Sequence, residues 1–314
     1  HGQSPIVAAL FHGVQPFVIA LVALAMGKIA QRALKGPLAW GLAAAAFVAL
    51  YLLGLPFPVV VAVAALVGLA MPGADDSAAP PDAGPGSSTV YRHIAFTLVS
   101  VALLIAAVYI AMRQTMGTEP FDDVATLFTT AALVTFGGAY AVLPFVADQA
   151  VESYHWLDAG AMLNGLAIAE ATPGPLILVN TYAGYFAGWS TPAPSLSPTM
   201  AGVITGALAT FYTFAPSFGL ILAFAPVVER LHSIPWARRA LAGISAAVVG
   251  VIANLVAYLA DAAFFPAGYA DPDWAKIALF AVALVLVFIV RVSTLPLIGL
   301  GLISGLGLYL AGIF

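Results

Sequence analysis

The sequence predicts an all-α polytopic membrane protein: an inverted-repeat helical carrier with broken helices and about ten spans. Three observations predict it. The 314 residues are 62% hydrophobic and only 8% charged, with a mean hydropathy of +1.04, whereas soluble domains carry about a quarter charged residues. The apolar residues fall in runs long enough to cross a bilayer. Two of those runs are interrupted by backbone-breaking clusters, Phe136-Gly137-Gly138 and Glu170-Ala171-Thr172-Pro173-Gly174-Pro175. Lipid offers no partner for free amides and carbonyls, so a broken helix at membrane depth belongs where it is buried in protein or lines a polar cavity. In membrane carriers such breaks hold the substrate.

The runs lie at about 14–30, 38–53, 55–71, 94–112, 124–146, 159–190, 200–226, 240–260, 275–291 and 294–313. The short ones span with flanking residues or tilt. The 159–190 run is too long for one straight helix, and its Pro173-Gly174-Pro175 centre divides it into two half-helices or a re-entrant hairpin. Residues 72–90 hold Asp75, Asp76, Pro80, Pro81 and a Gly/Ser-rich end, a composition that reads as a flexible linker. It separates a block at 1–71 from a block at 91–314.

The blocks look related. Gly13-Val14 and the helix to Ala30 align with Gly243-Ile244 and the helix to Ala260. Leu55-Pro56 aligns with Leu295-Pro296, and Gly68 with Gly307. On this alignment residues 1–71 match only the tail of the second block, and a counterpart of 91–240 is missing upstream. Residue 1 is His and no signal peptide precedes the first run, which fits a fragment or a processed product.

Lys28, Arg32 and Lys35 close the first run, so that end is expected in the cytoplasm. Two further spans return the chain there at Arg92 and His93. Arg230, Arg238 and Arg239 precede the helix that matches the first one, so the matched helices run in opposite directions. That is an inverted-topology repeat, whose sites lie near the midplane. Arg113 falls on the outer side, against the rule.

Glu170 is the most informative ionisable residue. It lies three residues before Pro173, inside a span, where a carboxylate is costly and marks a functional site by default; a proton-binding role suits it, against a bland role capping a neighbouring half-helix. Pro175 suits the first turn of a helix. A half-helix starting there aims N–H groups and its positive dipole end at the break, a ready anion site, with Thr172, Asn180 and Thr181 supplying further hydrogen bonds. The alternative is a proline kink kept for packing. Gly137 and Gly138, before Tyr140, permit a turn or a close approach to a ligand but also tight helix packing; two breaks in neighbouring runs favour a site.

Other classes are disfavoured. Without cysteine there is no disulfide, thiolate or iron–sulfur chemistry, and there is no basic patch for nucleic acid. Asp148, Glu152, His155 and Asp158 match neither an H-E-x-x-H nor an EF-hand spacing and read as a solvated loop, so no metal and no cofactor is expected. His12 and His93 read as interfacial. Trp40, Trp156, Trp189, Trp236 and Trp274 read as interfacial anchors. Arg113 and Arg291 snorkel from span ends or help neutralise an anion. An intramembrane enzyme needs a G-x-G-D or H-E-x-x-H pair, and neither occurs.

Three stretches taken together, Phe136 to Pro144, Trp156-Leu157 and Gly165 to Pro175, resemble the C-terminal half of chromate ion transporters, the CHR family. The wider resemblance covers about residues 91–314, and 11–71 looks like the end of that family's N-terminal half. Long members are fused pairs of homologous halves in opposite orientation, each with its own FGG and PGP motifs; here one of each is present. The resemblance implies a multi-pass inner-membrane efflux carrier for chromate, related to the handling of sulfate, its structural analogue. Its expected partners are the oxyanion and the lipid bilayer, with a homo-oligomer left open. On this reading Phe136, Gly137, Gly138, Tyr140, Thr172, Pro173, Gly174, Pro175 and Asn180 form the substrate site and Glu170 couples a proton. The alternative is a carrier for another anion, such as sulfate or an organic acid, because a backbone-lined site selects charge and size rather than identity.

Overall fold

The computed structural model describes residues 4–71, 87–117, 119–134, 138–172, 176–227 and 234–312. Among these residues there are twelve α-helices and no strand. The first block comprises α1 (Pro5–Ala33), α2 (Pro37–Tyr51) and α3 (Phe57–Leu69). The middle comprises α4 (Ser87–Met116), α5 (Phe121–Val134), α6 (Ala139–Asp148), α7 (Ala159–Ala171), α8 (Leu178–Ser190) and α9 (Pro198–Phe224). The chain closes with α10 (Pro235–Phe264), α11 (Trp274–Val285) and α12 (Thr294–Leu310). Short π-helical turns extend α6 over Gln149–Ser153 and α11 over Leu286–Val290.

The helix starts follow from local chemistry. Proline opens α1, α2, α9 and α10, where its missing N–H has no intrahelical partner to lose. The side chains of Asp158, Ser197 and Asp273 cap α7, α9 and α11 by accepting from the amides of Ala161, Met200 and Lys276 at 2.7, 3.3 and 3.0 Å. Of the expected linker, residues 72–86 lie outside the described residues, and Ser87–Val90 form the first turn of α4; serines suit a helix start better than a coil. Four helices (α1, most of α4, α9 with the turn after it, and α10) are long and apolar enough to cross a bilayer. This is a helical membrane protein.

In lipid, apolar side chains gain little by leaving one hydrocarbon surface for another, so helices associate through close van der Waals contact at small residues. Here α1 lies on α12 with Gly13 against the backbone of Gly301 and Gly305, and Gly305 in turn against the Ala9 carbonyl. The other pair is arranged in the same way: Gly243 of α10 meets the Ala64 carbonyl and Gly68 of α3, and Gly68 meets the Arg239 carbonyl. The first helix of the opening trio therefore packs on the last helix of the closing trio, and the first of the closing trio on the last of the opening one. The glycine that α12 brings to this contact is Gly305; Gly307, matched to Gly68 by sequence, faces open space. Two further helices, α8 and α9, cross through Gly184 and Gly188 against Ala201, Thr205 and Ala209.

The middle helices fold back on one another. Gly165 lies against the Tyr182 ring, so α7 and α8 run side by side as a hairpin. Phe128 of α5 stacks 6.4 Å from Trp156, beyond the far end of α6. That pairing corrects one expectation. Trp156 is no interfacial anchor but 5% exposed, stacked on Tyr154 at 4.7 Å, whereas Trp40, Trp189, Trp236 and Trp274 stay exposed. The hairpin region meets the outer helices through Gln15 of α1, which donates to Asn164 Oδ1 of α7 at 2.9 Å.

Gly13→Val and Gly243→Val place two methyl groups into backbone–backbone contacts, where overpacking costs about 1–3 kcal/mol. Each is expected to lower the thermal unfolding midpoint of the detergent-solubilised protein, whereas Gly307→Val, set in open space, leaves it unchanged.

Candidate functional site

One cavity is lined by Gly138 of the first sequence break and by Ile177, two residues past the second. Its volume is about 350 Å³, and its walls include Ala131 of α5, Gly138 and Ala139 at the start of α6, Ile177 at the start of α8, and Thr213 and Ser217 of α9. The N-terminal ends of α6 and α8 therefore border the same space. Unsatisfied amides and the positive pole of a helix both gather at its N-terminus, so a cavity bordered by two such ends favours negative charge. Phe218 and Ile221, both exposed, form its apolar rim.

Gly138 fixes how α6 starts. Its backbone lies at φ 104° and ψ 178°, a region essentially closed to residues with a Cβ, and its carbonyl accepts from the Ala141 amide at 2.9 Å. α7 ends just before Thr172, which turns to φ −87° and ψ 128°. α8 begins at Leu178 with Ile177 at its N-cap position, and Pro175, expected in the first turn, lies outside the described residues.

Across the two breaks the Tyr140 hydroxyl donates to Glu170 Oε1 at 2.6 Å. This joins the first turn of α6 to the last turn of α7, residues separated by thirty positions in the chain. Both groups are half-buried. The carboxylate thus sits beside the breaks with one oxygen held by a phenol. Asn180, 1% exposed, donates from Nδ2 to Thr213 Oγ1 at 3.2 Å. Its Oδ1 is buried and has no partner. Next along α8, the Thr181 and Thr210 hydroxyls pair at 2.6 Å.

Of the residues expected from sequence to form the site, Gly138 lines the cavity, Tyr140 and Glu170 bond to each other, and Asn180 bonds to a lining residue. Thr172 is exposed, and its hydroxyl donates to the Ile168 carbonyl of its own helix at 2.6 Å. Phe136, Gly137, Pro173, Gly174 and Pro175 lie outside the described residues. Thr213 and Ser217 escaped the sequence reading because hydroxyl residues in the middle of an apolar helix ordinarily bond back to their own backbone. The loop carboxylates have structural partners instead: Asp158 caps α7, and Glu152 accepts from the Tyr258 hydroxyl at 2.7 Å. No group of three or more potential metal ligands occurs among the described residues.

The family model for the chromate transporter matches residues 1–69 and 122–306. Among curated relatives, an uncharacterized transporter of Methanocaldococcus jannaschii is 28% identical over 142 residues, which cover 45% of this chain and 31% of that protein. The chromate transport protein of Cupriavidus metallidurans is 27% identical over 177 residues, covering 56% of this chain and 40% of its own length. That of Pseudomonas aeruginosa is 38% identical over 128 residues, covering 39% and 26%. The matched stretches thus span less than half the length of these relatives. No solved structure matches the chain.

Gly138→Ala forces a Cβ into a backbone region that costs on the order of 1–3 kcal/mol. The variant is expected to unfold at a lower temperature than wild type. A variant that melts like wild type would show that α6 starts with ordinary backbone angles.

Proposed function

This chain belongs to the chromate transporter family, and from that premise we propose that it carries chromate out of the cell through the cavity where α6 and α8 begin. The observation that carries this reading is that the starts of α6 and α8 line one space, beside which the Tyr140–Glu170 bond joins α6 to α7. Chromate is a tetrahedral oxyanion. It suits convergent N–H donors at two helix starts better than a single charged side chain, because each oxygen takes a separate hydrogen bond. The residues assigned are Phe136 to Gly138, Tyr140, Thr172 to Pro175 and Asn180.

In this mechanism Glu170 is neutral while the anion is bound and ionised when the site is empty. A carboxylate and an oxyanion repel in a medium of low dielectric, so each anion enters with a proton and the two leave together. Tyr140 holds the carboxyl in place through both states.

Direction and architecture follow the same reading. Lys28, Arg32, Lys35, Arg238 and Arg239 lie at the C-terminal end of α1 and the N-terminal end of α10. Leu34 and Met71 pack with Ala246 in one cluster, so these ends share one side, which the positive-inside rule assigns to the cytoplasm. The reciprocal glycine contacts of α1 with α12 and of α10 with α3 support an inverted repeat in which 1–71 and 91–314 belong to opposed halves. A carrier for sulfate or an organic acid is the alternative, since neutral donors discriminate poorly among anions of similar charge and size.

Chromate uptake into inverted membrane vesicles tests the proposal. Uptake by vesicles containing the chain, absent from control vesicles and inhibited by excess sulfate, is the expected result. Glu170→Gln should abolish the response to an imposed pH gradient. A Glu170→Gln carrier with unchanged pH dependence would remove the coupling role, and uptake of sulfate without chromate would move the assignment to the alternative.

A further inference from the structure

Among the described residues lining the cavity none is charged, and two carry hydroxyls, Thr213 and Ser217. A hydroxyl has one proton to give and two lone pairs to receive. The Ser217 proton is committed to the Thr213 carbonyl at 3.0 Å. Other hydroxyls on these helices are committed in the same manner: Thr205 donates to Ala201, Thr210 to Gly206 and Thr172 to Ile168, at 2.8, 3.0 and 2.6 Å. Thr213 is different. Its Oγ1 accepts from Asn180 Nδ2 at 3.2 Å and makes no bond to the carbonyl one turn back. With a lone pair taken from the side of α8, its proton has no acceptor among the described residues, and the residue lines the cavity.

Asn180 is built to hold this arrangement. It is 1% exposed and sits one helical turn past Ile177, which lines the same cavity. Because its Oδ1 has no partner, the donated Nδ2 bond to Thr213 is the side-chain contact the amide makes there. We propose that Thr213 is the side-chain donor to the bound oxyanion and that Asn180 is the positioning residue that turns its hydroxyl into the cavity. This rests on the reading of the cavity as the anion site. It assigns side-chain recognition of the anion to a neutral hydroxyl, added to the backbone donors at the starts of α6 and α8.

The test is chromate binding by the purified protein in detergent, read as the rise in melting midpoint with added chromate, alongside KM and kcat in vesicles. Thr213→Val removes the proton at constant shape and is expected to weaken binding and raise KM on the order of tenfold, with little change in kcat. Thr213→Ser should restore KM to near the wild-type value. Asn180→Leu frees Thr213 to bond to its own helix, so it should raise KM to a similar extent, and the Thr213→Val/Asn180→Leu pair should be no worse than either alone. Melting midpoints without chromate identify any variant that fails to fold; for such a variant Thr213→Ser set against Thr213→Ala repeats the comparison. Wild-type binding retained in Thr213→Val, or additive losses in the pair, would overturn the inference while leaving the cavity assignment intact. Absence of any chromate-induced shift in the wild type would overturn the cavity assignment itself, and this inference with it.

Discussion

Helix backbones approach closely here because side chains have been removed from the lines of contact, and the rest of the architecture depends on that. In a bilayer the apolar residues of α1 or α10 are as well solvated by lipid as by protein, so burial alone does not choose a partner. The choice is made by Ala9 and Gly13 facing Gly301 and Gly305, by Gly243 facing Ala64 and Gly68, and by Gly184 and Gly188 facing Ala201 and Thr205. These contacts are short-range and sensitive to shape. They fix both where the helices cross and at what depth, and depth decides which residues share a plane in the membrane.

The site inherits its geometry from one of these crossings. α9 is gripped along much of its length by α8, so Thr213 is carried to Asn180 at the start of α8. The same helix supplies the cavity wall opposite α5 and the start of α6. The Tyr140–Glu170 bond ties the start of α6, which lines the cavity, to the end of α7, which carries the carboxylate.

Much of this was legible in the sequence, and the missing parts share a cause. Composition identified a helical membrane protein, and the Gly and Pro clusters located the interruptions, because those residues act through the backbone wherever they stand. Glu170 stood out because charge is rare in an apolar run. Contacts between distant residues did not stand out. Gln15 with Asn164, Tyr140 with Glu170 and Asn180 with Thr213 each join separate helices. A helix that is apolar on its lipid face and its protein face alike carries no amphipathic period to show which side turns inward. The same blindness set Gly307 in place of Gly305, since two glycines on one helix differ only in the direction they face, and it made Trp156 an anchor when it is a core aromatic. Thr213 was invisible for a further reason: what matters about it is the bond it does not make to its own helix.

The reciprocal pairing of the end helices has a consequence for how the chain is made. Synthesis proceeds from the N-terminus at about 5–20 residues per second, so α1 emerges tens of seconds before the glycines of α12 that complete its contact. Through that interval the small-residue faces of α1 and α3 rest against lipid or against whatever else occupies the insertion site. Insertion proceeds helix by helix while the contact of α1 waits for α12. A chain that terminated before α12 would leave α1 without its mate and open to the proteases that survey orphaned membrane segments.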